Sequence, residues 1–95
     1  MEDENHARMA RIEQARKAAK AGVKDWCEKI VLRQQDGILA IPGTYQCHTY
    51  GVVSEVLLRN EGWAITNKQA RSVEYGIVSR EVLTVYDIAI EKMPR

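Results

Sequence analysis

The pair Asp36-Gly37 stands between two apolar runs, "KIVLR" and "ILAI". Asp-Gly in that setting is a strong hairpin signal, because a two-residue turn of the right twist needs left-handed backbone at both positions. With Asp36-Gly37 as the loop, Gln35 faces Ile38, Gln34 faces Leu39 and Leu32 faces Ile41. Ile30, Leu32, Leu39 and Ile41 then share one face, and Val31, Arg33 and Gln35 share the other. Turn and pattern agree, which supports the hairpin. Pro42 cannot donate to a ladder and is read as the end of the second strand.

This hairpin has to find cover within a short chain. The 95 residues suffice for one domain, read as 1–95 with 1–6 frayed. A domain of this size buries only about 60–65% of its unfolded surface, so the core is modest. Apolar residues make up 45% and charged residues 28%, which is ordinary globular usage and argues against disorder. With no Phe, the bulk must come from Trp26, Trp63, four tyrosines and the aliphatic residues.

Upstream of the hairpin, "ARMARIEQARKAAKAGVKDW" is built from strong helix formers. Ile12, Ala15, Ala19, Val23, Trp26 and Ile30 recur at three- and four-residue steps, as one stripe of a long helix would. Glu13 and Lys17 form an i,i+4 pair, and Glu2, Asp3 and Glu4 suit the positive end of the helix dipole. Gly22 is its weak point, at about 1 kcal/mol relative to Ala.

Downstream, Thr44 reads as an N-cap, with Tyr45, Thr49, Val52, Val53, Val56 and Leu57 as the apolar stripe of a second helix, Thr44 to Glu61. Asn60 or Gly62 would stop it. Trp63–Thr66 reads as a short strand. Beyond it, Thr66 and Gln69 could form a capping box, but Gly76 and the β-branched "VLTVYDIAI" favour strands at Ser72–Val78 and Val82–Glu91. The expected fold is α+β in the order α-β-β-α-β-β-β: a long N-terminal helix, a hairpin, a second helix, then a largely antiparallel sheet of short strands.

Net charge is +1, so no global field points to nucleic acid or membrane. No apolar run approaches the roughly 20 residues of a membrane span, and "MEDENHARMA" lacks the apolar core of a signal peptide. Two cysteines are too few for a disulfide scaffold, which leads to the expectation of a cytoplasmic protein with reduced thiols.

Three constellations could carry chemistry. In "AIPGTYQCHTYG", a helix starting at Thr44 would offer free N–H groups to an anion, with Gly43, Thr44, Tyr45, Gln46, Cys47, His48 and Tyr50 as the ligand-binding set. Cys47 would sit at a helix start, where the dipole lowers a thiol pKa, but the adjacent His48 points about 100° away. No catalytic residue is therefore assigned. Cys27, Cys47, His48 and His6 lack the paired spacing of metal ligands, so no metal or cofactor is expected. Between Ala7 and Lys24 six cations face one acid, and Arg16, Lys17, Lys20 and Lys24 would line one helix face suited to phosphates.

These observations favour a small non-catalytic binding or regulatory protein. It would be homo-oligomeric because the core is small, and it would recognise a protein or a small anionic ligand. An inhibitor or sequestering protein of the sort viruses and mobile elements encode would fit. The alternatives are a nucleic-acid-binding accessory protein using the basic helix, and a cysteine-dependent enzyme.

Overall fold

The computed structural model describes residues 2–35, 37–75 and 81–94. Their elements are α1 (Glu2–Ala18), β1 (Lys24–Gln34), β2 (Gly37–Cys47), β3 (Gly51–Ser54), α2 (Glu55–Asn60), β4 (Trp63–Tyr75) and β5 (Glu81–Lys92). The strands form one sheet in the order β3-β2-β1-β5-β4, and each neighbouring pair is antiparallel. The α+β class and the antiparallel sheet are as expected from the sequence. Several boundaries are not.

The first hairpin exists with a shifted turn. Gln34 pairs with Gly37 and Leu32 with Leu39, so Gly37 belongs to the second strand and not to the loop. Asp36 itself lies outside the described residues. Moving the turn by one residue changes the pairing by two, which keeps Leu32 and Leu39 on one face and Val31 and Arg33 on the other. Pro42 does not end the strand. Between the pairs Lys29–Tyr45 and Val31–Ala40, the single residue Ile30 stands against the four residues 41–44. Pro42, which has no N–H, and Gly43, at φ 64°, absorb that bulge. Thr44 Oγ1 closes it with a 3.3 Å hydrogen bond to the Pro42 carbonyl.

The second helix is the largest correction. Thr44 to Cys47 belong to β2, and His48 to Tyr50 form a three-residue turn into β3. Gly51 leaves that turn at φ 67°, a left-handed position. Only Glu55–Asn60 is helical, capped by Ser54, whose Oγ accepts from Leu57 N at 3.1 Å. The first helix ends at Ala18, so Val23 lies in the connection and Trp26 and Ile30 in β1. The short strand expected at Trp63–Thr66 and residues 72–75 of the one expected at Ser72–Val78 are parts of one strand, β4, and Thr66 to Gln69 are extended. Gly76 to Val78 lie outside the described residues.

The core gathers at one end of the sheet. Cys27, Tyr45, Cys47, Tyr50, Val53, Leu58, Trp63, Ile88 and Ile90 are buried together, with Ile12, Ala19, Val23, Leu57 and Ile65 packed against them. Cys27 and Cys47 face each other across β1 and β2 and are joined as a disulfide, which corrects the expectation of reduced thiols. Beyond this end the two long hairpins run outward, and Leu32, Leu39 and Val82 are exposed. The molecule measures 49 × 36 × 17 Å with a radius of gyration of 15.5 Å. A compact chain of this length would have about 12 Å.

Candidate functional site

Helix α1 is polar nearly all round. Residues 4–11 are all exposed, and among the described side chains of the helix only Arg16 is buried. Such a helix needs tertiary anchors. Arg16 supplies one: Nε and Nη2 donate to both carboxylate oxygens of the buried Glu61, the second at 3.1 Å. Lys92 supplies another. Its Nζ donates to the carbonyls of Arg16 and Lys17 at 3.4 and 3.2 Å, so a cation meets the helix C-terminus. The same ammonium lies 5.3 Å from the Trp63 ring centre.

Held in this way, the middle of α1 stands over β3 and leaves a groove of about 440 Å³. Met9, Ile12, Glu13 and Arg16 of α1 line one side, and Tyr50, Gly51, Val52 and Leu57 line the other. A methyl group at Gly51 would lie 4.0 Å from Ile12 Cγ2, so the helix sits at van der Waals distance from the turn. Met9, Val52 and, next to the groove in sequence, Val56 are 67%, 63% and 68% exposed. These are high values for large apolar side chains on a domain with so small a core.

The charge of the groove is small. Arg16 is already neutralised by Glu61. Glu13 bonds Lys17 at 3.0 Å, and that hydrogen bond holds its carboxyl below the usual range. Tyr50 is packed against Trp63 with ring centres 5.3 Å apart. Burial, assisted by the Asp25 charge, raises its hydroxyl pKa and keeps it a neutral phenol.

The residues expected to bind an anion do lie close together, on β2 and the following turn. Their N–H groups are used differently from the expectation. β2 has β1 on one side and β3 on the other, and Tyr45, Gln46 and Cys47 are paired to both. There is no helix start at Thr44, so the dipole and free donors assumed there are missing. The turn at His48–Tyr50 is held from β1: His48 N donates to the Trp26 carbonyl at 2.9 Å, and Thr49 N to Asp25 Oδ2 at 3.0 Å. His48 faces Glu28 at 3.5 Å.

The basic stripe does not survive either. Arg16 is buried, Lys17 pairs with Glu13, Lys24 lies 3.6 Å from Glu91, and Lys20 and Lys24 are outside the helix. Asp25, Cys27 and Cys47 bring potential metal-binding atoms within 4.8 Å of one another. The two sulfurs are bonded to each other, and Asp25 is engaged with Trp26 N and Thr49 N. No helix of the described residues is long and apolar enough to cross a membrane.

The sequence showed Ile12, Tyr50, Val52 and Leu57 as apolar, but assigned Val52 and Leu57 to a helical stripe. Met9 lies outside the apolar stripe of the first helix, and no local signal ties Arg16 to Glu61. No protein-family model matches this chain, and neither does any curated protein or solved structure.

Proposed function

We propose that this is a small binding protein that takes a protein partner in the groove between α1 and β3. The observation that carries the reading is the apolar lining of that groove together with the exposure of Met9, Val52 and Val56. An exposed apolar patch next to a concave surface is the usual form of a protein-docking site. Small anionic ligands fit less well, since the one guanidinium at the groove is committed to Glu61. A nucleic-acid partner would need a continuous basic face, and of the four cations expected to form one, Arg16 is buried against Glu61, Lys17 pairs with Glu13 and Lys24 lies beside Glu91. A cysteine nucleophile would need a free thiol, and Cys47 is bonded to Cys27. That bond is also the form favoured by oxidising surroundings, which weighs against the cytoplasmic location expected from the sequence.

Selection of binders from a random displayed peptide library tests the reading. The expected binders carry aliphatic or aromatic anchors, and NMR shift changes on adding them centre on Met9, Ile12, Val52 and Leu57. Binders that map to the β2–β3 turn, or that are uniformly acidic, would contradict it.

A further inference from the structure

We propose that β4 is the seam of a homodimer, in which two copies pair their β4 strands antiparallel about a two-fold axis at Arg71 and extend the sheet across both. This surface lies at the far edge of the sheet from β3 and is independent of the groove reading. β4 is a 13-residue edge strand, regularly paired to β5 from Asn67 to Tyr75, and residues 66–72 are all exposed. An edge this long presents a row of outward N–H and C=O groups that another strand can use.

The register follows from geometry and charge. Alternate residues of an antiparallel strand direct their backbone groups to opposite neighbours. One alternate set of β4 therefore bonds β5 and the other points outward. In a two-fold pairing, outward residues must face outward residues, so even positions meet even positions and odd meet odd. A centre at Lys68 sets that ammonium against its own copy. A centre at Gln69 places Lys68 opposite Ala70, one at Ala70 places it opposite Ser72, and one at Ser72 places Glu74 opposite Ala70. A centre at Arg71 places Lys68 opposite Glu74, twice over. Neither side chain forms an ion pair among the described residues, and both are exposed. Arg71 does not oppose its copy as a free cation. Its guanidinium is turned inward across β5, bonding Asp87 at 2.9 and 3.2 Å and the Lys29 carbonyl at 3.4 Å.

Sedimentation of the full chain with charge-reversed variants tests this. The wild type is expected at twice 10.8 kDa at micromolar concentration. Lys68→Glu or Glu74→Lys replaces two attractive cross-strand pairs with two repulsive ones and is expected to weaken the dimer at least about tenfold. The double variant Lys68→Glu/Glu74→Lys restores both pairs and should return to within a few-fold of wild type. Both positions are exposed, so circular dichroism should show all variants folded. In the dimer, alternate amides of 67–75 gain protection from hydrogen exchange as concentration rises. A wild type that stays at 10.8 kDa, single variants that dimerise normally, or a double variant that fails to recover would each overturn the proposal.

Discussion

Arg16 on α1 and Glu61 after α2 form a two-pronged ion pair that joins positions 45 residues apart, both nearly excluded from water. It is one of the few fixed points of a helix whose first half is exposed. Removing one partner of a buried pair leaves the other charge uncompensated, at a cost of about 3–5 kcal/mol. Arg16→Ala and Glu61→Ala are therefore each expected to lose about that much in urea unfolding. The double variant Arg16→Met/Glu61→Met should lose distinctly less, since no charge is then stranded. The helical signal in circular dichroism should fall in the single variants, because α1 has too few apolar contacts to persist alone.

Asp87 gives the protein a defined response to acid. Burial alone would raise its pKa, but hydrogen bonds from Arg71 and from Lys29 N, with the Arg71 charge, bring it below the ordinary 3.8. The folded state therefore binds this proton less readily than the unfolded chain. The stabilisation is complete above the ordinary carboxylate value and is lost as pH falls through the lower folded value. Unfolding free energies of wild type and Asp87→Asn, compared across that window, should show this slope only in the wild type. Arg71→Ala should cost about 1 kcal/mol at neutral pH, below the usual range for a charged hydrogen bond, because its side chain is 42% exposed and water can replace it.

The Cys27–Cys47 bond closes a segment with a sequence separation of 20 across the buried end of the sheet. Constraint of the unfolded chain by a loop of that size is worth about 3 kcal/mol. Adding a reductant should lower the urea midpoint of the wild type by the equivalent amount. The variant Cys27→Ala/Cys47→Ala should show no response to reductant. A wild type equally stable with and without reductant would contradict the structural role of the bond.

The sequence carried the class of the fold and the location of the first hairpin, because apolar alternation and an Asp-Gly turn are local signals. It misled where one segment satisfies two periods. Tyr45, Thr49 and Val53 lie four apart, as in a helix, while Tyr45 and Cys47 lie two apart, as in a strand. The strand prevails because its backbone groups bond partners on both sides and Gly51 takes a left-handed turn position. In "NKQAR", Asn67 to Arg71, several residues are good helix formers, yet they lie in β4, where pairing to β5 outweighs a weak local preference. The groove could not be read locally. Its walls come from α1 and from the β3–α2 segment, and the pair that holds them is distant in sequence.

The most direct test of binding at the groove is the affinity of a selected peptide for Val52→Asp, beside Val82→Asp as a control. Val52 and Val82 are 63% and 50% exposed, so neither variant buries a charge and both should stay folded. Val52 lines the groove and Val82 lies on the outer part of β5. Binding is expected to weaken at least about tenfold, or 1.4 kcal/mol, in Val52→Asp and to be unchanged in Val82→Asp. Equal affinity of Val52→Asp and wild type would contradict the assignment of this groove as the binding site.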